Sequence, residues 1–215
     1  MTIQHHPTDE LLLAYAAGTL DQGQHIAVAT HLLPCAACRS WVQSLERLGG
    51  AVLSTLPASV MAGDALNRIE ARLDEPAASV SSPRFSDFHS DIPGLPAFVR
   101  GIPAGNWTWV APRLHLRRLA LTEPGDTRVF LLKSSPSSRF LPHGHTGFEM
   151  TSVLTGSFSH DGKHYGPGDF NFGDPDTVHE IVIGPEGDCI SLVAMQGELK
   201  LQGLLGRLVQ PFLSI

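Results

Sequence analysis

The sequence has little with which to cross a membrane, cross-link itself or grip a phosphate backbone. No apolar run in its 215 residues approaches the roughly 20 needed to span a bilayer as a helix, so no transmembrane helix is expected. There are three cysteines, an odd number that makes no disulfide framework. Lys and Arg total 15 against 21 Asp and Glu. The resulting net charge of −6 argues against direct nucleic-acid binding, which draws on clustered cations, and suits a basic partner instead. Met1 to Glu10 carries histidines and acids where a secretory leader would carry a basic stretch and an apolar core. A cytoplasmic location is expected.

Histidine is what the chain has in quantity, eleven in all, and two of the cysteines form a tight C-x2-C at Cys35 and Cys38. In a cytosolic chain that pair points to metal or redox chemistry before a structural disulfide.

From Thr8 to about Leu73 the apolar spacing is helical. Thr8 is a candidate N-cap with Asp9 and Glu10 in the first turn, and Gly18 closes the first helix. A second helix is expected from near Asp21 to Leu33, stopped by Pro34. A third should run from about Ala36 to Leu48 and end at Gly49 and Gly50, and a fourth from Gly63 to Leu73. The stretch Asp74 to Asp91 (DEPAASVSSPRFSDFHSD) has small residues and prolines without periodicity and reads as a linker. Beyond it come short alternating runs such as Asn106 to Val110 and Arg113 to Arg117, separated by Pro and Gly turns, which suggest a β sandwich or small barrel.

His31, Cys35 and Cys38 form H-x3-C-x2-C, a set that suits tetrahedral zinc, and a structural zinc site needs a fourth ligand. His6 is the favoured fourth, with His5 as the alternative; His25 lies on a different helix face. A metal clip would add stability that a small helical core lacks. This set, together with LLLAYAAGTLD, resembles the zinc-binding anti-sigma domain that pairs with group IV, extracytoplasmic-function sigma factors. That resemblance implies helices that wrap around a sigma factor and block its access to RNA polymerase. Between Met1 and Ala78 eight acids stand against four arginines, a net of −4, which complements a basic partner.

The second constellation lies in PHGHTGFEMTSVLTG, from Pro142 to Gly156. His143, His145 and Glu149 would share one face of a regular strand, and His179 follows far enough on to return on another. Three histidines and a glutamate suit Zn, Fe, Mn or Ni. The spacing H-x-H-x3-E-x6-G resembles the first cupin motif, with Ser137 where that motif opens on glycine. Gly168 and His179 hold the spacing of the second motif, while Asp174, Asp176 and Ile183 replace its usual proline, glycine and asparagine.

Other residues take plainer readings. Cys189, in the apolar run DCISLV, reads as a buried small hydrophobe before a redox sensor. Trp107 and Trp109 read as packing, and Arg113, His115 and Arg117 as a solvated strand face.

A zinc anti-sigma domain followed by a cupin is similar, across essentially the whole chain, to the ChrR family of anti-sigma factors. The expected fold class is multidomain α + β, a small N-terminal helical zinc domain of about four helices followed by a C-terminal cupin β-barrel. The expected division is a zinc-binding anti-sigma domain at 1–78, a linker at 79–93, the cupin at 94–198 and a tail at 199–215 packing on the barrel or a partner. The resemblance implies a 1:1 complex with a sigma-E-type sigma factor, no enzymatic activity, and release of the sigma factor on a signal such as singlet oxygen received by the cupin. It also implies Zn2+ held by His6, His31, Cys35 and Cys38 and, in the cupin, by His143, His145, Glu149 and His179. A cupin dioxygenase or isomerase is the competing reading.

Overall fold

The computed structural model describes residues 2–75, 92–123, 125–175 and 178–201. Four helices come first: α1 Asp9–Ala16, α2 Gln22–Leu32, α3 Ala36–Thr55 and α4 Ala65–Leu73. The Thr8 hydroxyl accepts from the Leu11 N–H at 3.3 Å and opens α1. Gly18 then turns the chain out with φ +68°, a conformation without cost for a residue lacking Cβ. The start of α2 is a reciprocal capping box: Asp21 Oδ1 accepts from Gln24 N–H at 2.9 Å and Gln24 Oε1 from Asp21 N–H at 3.1 Å.

Helix α3 departs from expectation by running to Thr55, straight through Gly49 and Gly50. Neither glycine adopts a positive φ, so nothing in the backbone ends the helix there. The cost of about 1 kcal/mol per glycine relative to alanine is borne without a break. Most of the apolar side chains in the distal half of α3 and in α4 face outward. Leu48, Val52, Leu53, Leu66, Ile69 and Leu73 are each more than half exposed, and no residue of α4 is buried.

A short helix, α5 Ala97–Arg100, leads into the β half. Its main sheet comprises β1 Thr108–Ala111, β2 Leu114–Arg118, β3 Arg128–Ser134, β5 Glu149–Thr155, β8 Phe170–Gly173 and β10 Cys189–Met195, in the order β1-β2-β3-β10-β5-β8. Across the barrel lie two smaller sheets. One pairs β4 His143–His145 with β11 Leu199–Leu201; the other orders β7 Lys163–Tyr165, β6 Phe158–His160 and β9 Val182–Ile183. Leu199–Leu201, expected as the start of a tail, is thus a barrel strand paired with the histidine strand. The remainder of the expected tail, and residues 76–91 of the expected linker, lie outside the described residues.

All seven residues of β10 are buried, as a continuous apolar run requires when both faces are covered. Ile190, Leu192 and Ala194 face the helices, in one apolar cluster with Leu12, Ile26, Val28 and Val42. Cys189, Ser191, Val193 and Met195 face the barrel interior. The helical half is therefore seated on the outer face of the main sheet. Ala27 and Val28 are fully buried there, and the Ser152 hydroxyl donates to the Ala27 carbonyl at 3.0 Å.

One surface reading fails. Arg117 is buried, its guanidinium 4.5 Å from the Trp107 ring centroid, a cation–π pair rather than a solvated face. Trp109, paired with His115 in the neighbouring strand, is 62% exposed.

Candidate metal centres

The helical half brings His6, His31, Cys35 and Cys38 together. Leu33, Pro34 and Cys35 separate α2 from α3, so His31 in the last turn of α2 and Cys38 in the first turn of α3 face each other. Cys35 is the N-cap of α3 and makes no side-chain cap bond, which leaves its sulfur free at a helix end that favours negative charge. His31 Nε2 lies 3.3 Å from Cys38 Sγ, and His6 Nδ1 lies 3.4 Å from both sulfurs. Tetrahedral zinc, with bonds of about 2.0 to 2.3 Å, holds neighbouring donors about 3.3 to 3.8 Å apart. The cluster fits that spacing. His5, the alternative fourth ligand, lies elsewhere: its ring packs 4.2 Å from that of Tyr165 and its Nε2 is 3.0 Å from the His164 carbonyl. His25 stacks on Tyr15.

The second ring nitrogen of His31 donates to the Gly168 carbonyl of the barrel at 2.8 Å. With the proton held on Nδ1, the Nε2 lone pair points at the sulfurs, the orientation a metal needs. Burial pushes the His31 pKa down to about 4 and the Cys38 thiol up to about 12, with Cys35 beside it adding to the rise. The metal-free site is thus a neutral imidazole beside a protonated thiol, and loading a metal must expel the thiol proton.

In the barrel, His143, His145, Glu149 and His179 converge. The single regular strand expected from the i, i+2, i+6 spacing is absent. The chain pairs as β4 through His145, turns at Gly147 and re-enters the main sheet as β5 at Glu149. The turn is close-packed, since a Cβ on Gly147 would meet the Gln196 carbonyl oxygen at 2.5 Å. His179 is brought opposite His143 by a two-residue bridge. The Nε2 of His179 stands 2.9 Å from that of His143 and 3.3 Å from that of His145, and His145 Nε2 is 3.2 Å from Glu149 Oε2. Four donors aimed at one point fit a metal as the first cluster does.

Burial lowers the pKa of His145 and pushes that of His179 down to about 4, so these imidazoles keep their lone pairs at neutral pH. At Glu149 burial works to raise the pKa, but the three imidazoles and the Thr151 hydroxyl together bring it below the ordinary value. The Thr151 bond is 3.0 Å. His143 Nδ1 donates to the Leu141 carbonyl at 2.9 Å, fixing its tautomer. The Nδ1 atoms of His145 and His179 find no partner among the described residues.

His143 and Glu149 also line a cavity of about 380 Å3 whose walls are largely apolar, among them Phe130, Phe140, Phe158, Val193 and Met195. The Cys189 side chain faces it, its thiol pKa raised to about 11 by burial, which makes it a poor nucleophile.

Residues 98–198 match the family model described as the ChrR cupin-like domain. The chain is 32% identical, over the full length of both, to the anti-sigma-E factor ChrR of Cereibacter sphaeroides. The chain belongs to the ChrR family of anti-sigma factors. It is also similar to a solved structure, ChrR in the complex of Rhodobacter sphaeroides SigE with the anti-sigma ChrR. That match has a TM-score of 0.74 and 30% identity and covers 91% of this chain and all of that one. Both relatives are named as regulators, not enzymes, which sets the dioxygenase and isomerase reading aside.

Within this ChrR-family chain the departures from the cupin motifs have structural answers. Ser137 adopts φ +58°, so the left-handed turn is kept without the glycine. Gly156 is irreplaceable by contact, since a Cβ there would lie 2.6 Å from the Asp188 carbonyl oxygen. Sequence reasoning missed Gly168 and Asp169 as neighbours of the first cluster, and Thr151 and His160 as neighbours of the second. His160 lies with its ring 5.4 Å from that of His179. Gly168 is marked by motif spacing but not as a partner of His31; its role there and that of Asp169 act across the fold, whereas Thr151 reaches Glu149 from two residues away.

Proposed function

We infer that the chain is an anti-sigma factor. Its helical domain binds one extracytoplasmic-function sigma factor of the sigma-E type in a 1:1 complex and blocks it, and the cupin receives the releasing signal. The observation that carries this reading is the apolar face of α3 and α4. Leu48, Val52 and Leu53, with Leu66, Ile69 and Leu73 at helical spacing, lie in water in the isolated chain. Each of the two helices thus carries its own exposed apolar stripe, and exposed apolar stripes of this kind on amphipathic helices belong to binding sites. The acidic balance of the same domain suits a DNA-binding partner, and the relative solved with SigE supports the pairing.

Zinc is the metal proposed for both clusters, structural in the first and signal-linked in the second. The proposed division is helical domain 1–78, linker 79–93 and a cupin that begins at 94 and includes the strand Leu199–Leu201. The signal implied by the family resemblance is singlet oxygen. Among the described residues no helix is long and apolar enough to cross a membrane, in keeping with the proposed cytoplasmic location.

The test is to purify the full chain with the sigma factor expressed alongside it and to measure sigma-dependent transcription in vitro. Leu53→Glu with Ile69→Glu should abolish both the complex and the inhibition while leaving zinc content unchanged. A variant that still inhibits fully would refute the assignment of the face.

A further inference from the structure

The first cluster is not assembled by the helical half alone. Asp169, in the turn that leads into β8, is almost fully buried, and its carboxylate is used up on backbone donors. Oδ1 accepts from the Gln4 and His5 N–H groups at 2.7 and 2.9 Å, and Oδ2 accepts from Gly166 N–H at 2.8 Å. The Phe170 N–H in turn donates to the His5 carbonyl at 3.0 Å. The segment immediately before His6 is thereby laid against the barrel by three hydrogen bonds. Gly168 contributes the carbonyl that fixes the His31 ring. It holds φ +91°, where a Cβ would come 2.8 Å from Ile3 Cδ1.

We propose that Asp169 is the positioning residue of the helical domain's metal site: by anchoring Gln4 and His5 it places His6 Nδ1 against the two sulfurs, while its neighbour Gly168 orients His31. Two of the four ligands of the first cluster are held by one barrel turn, Gly166–Phe170, so the barrel completes the site. The other end of β8 pairs in register with Glu149, a member of the second cluster, so one short strand has a metal cluster at each end. This inference rests on the proposed reading of the first cluster as a metal site.

Cobalt(II) serves as the probe on the full chain. Only the cluster with cysteines gives a thiolate-to-cobalt charge-transfer band, so it is read separately from the all-nitrogen-and-oxygen barrel cluster. Loss of an outer-shell partner weakens metal affinity about 10- to 100-fold, and that is the loss expected for Asp169→Ala by chelator competition, with the barrel cluster's cobalt bands unchanged. Asp169→Asn, which keeps an Oδ1 acceptor for Gln4 and His5, should recover most of the affinity. Gly168→Ala, which pushes the turn off Ile3, should lose affinity even if Asp169→Ala does not fold. Ser152→Ala removes a contact between helices and barrel away from the cluster and should leave the band and affinity as they are.

The proposal is overturned if Asp169→Ala and Gly168→Ala bind within twofold of wild type, or if Ser152→Ala is as damaging as either. If wild type shows no thiolate band, or Cys35→Ser retains it, the metal reading itself fails and the positioning role falls with it. A wild-type band that Cys35→Ser removes and Asp169→Ala leaves untouched rejects the positioning role alone.

Discussion

Replacing Gly23 by alanine decides by its sign whether the helices are docked on the barrel in solution. Gly23 lies in the first turn of α2 with ordinary helical backbone, and alanine at such a position favours a helix by about 1 kcal/mol. If α2 were free of the barrel, Gly23→Ala would stabilise the chain by that amount. In the docked arrangement the new Cβ would meet Thr127 Cγ2 at 2.6 Å, Thr127 Cβ at 2.9 Å and the Thr127 carbonyl oxygen at 3.1 Å. Thr127 cannot swing away cheaply: it is 4% exposed and its hydroxyl donates to Asp21 Oδ2, the N-cap side chain of the same helix. Overpacking of this kind costs about 1 to 3 kcal/mol. With backbone among the clashing atoms the upper half applies, leaving a net loss of about 1 to 2 kcal/mol after the helix gain. Urea denaturation of the full-length chain in saturating zinc reads this directly, and for a chain of this size each kcal/mol corresponds to about 2 to 4 °C in Tm. Thr127→Ser removes the methyl group but keeps the hydroxyl, so it should recover part of the loss in the double variant and little when made alone. A Gly23→Ala protein more stable than wild type would refute the docking.

Cys35→Ala or Cys38→Ala should lose one zinc equivalent and sigma binding together; unchanged zinc by elemental analysis would count against the cluster. His143→Ala or Glu149→Ala should impair the response to the signal while repression persists, and normal induction in a strain carrying either would reject the sensing role of the cupin. Acid should destabilise the metal-free protein: His31 and His179 have pKa values near 4 when folded against about 6.5 unfolded. Their contribution is complete above pH 6.5 and is lost as pH falls towards 4, each about 3 kcal/mol. A denaturation midpoint flat between pH 7 and pH 4.5 would contradict this.

The members of both clusters were legible as candidates because they are short-range patterns, H-x3-C-x2-C across a helix break and H-x-H-x3-E beside a returning histidine, and the fold brings each set together. What was illegible depends on the fold. Strand periodicity placed His143 and Glu149 on one face, but the real route breaks the strand at Gly147, whose contact with Gln196 is made by residues far apart in sequence. Arg117 looked solvated in an alternating strand, and the alternation gave no sign that the Trp107 indole ten residues earlier lies against its buried guanidinium. Gly49 and Gly50 looked like a helix end because propensity is a local average, whereas α3 stops where Leu56, the residue before Pro57, turns to extended backbone. The docking of α2 was hidden for the same reason: its buried alanine and valine say that something covers them, not what.

The arrangement constrains how a change in the barrel could reach the partner face. The barrel packs on α2 and on the segment before α1, whereas the exposed apolar residues belong to the distal part of α3 and to α4. Between the two stands the first cluster, with His31 on α2, Cys38 on α3, Cys35 between them and His6 on the segment held by Asp169. The cluster thus fixes the angle at which α3 leaves the barrel-bound helix. At 1.5 Å per residue the 20 residues of α3 span about 30 Å, so a tilt of about 5° at the cluster moves the far end by about 2.5 Å. That is enough to unseat side chains packed at interior density. On the proposed reading, a signal in the barrel need not unfold the helical domain to loosen a partner; a shift of the turn that holds His6 and His31 would suffice.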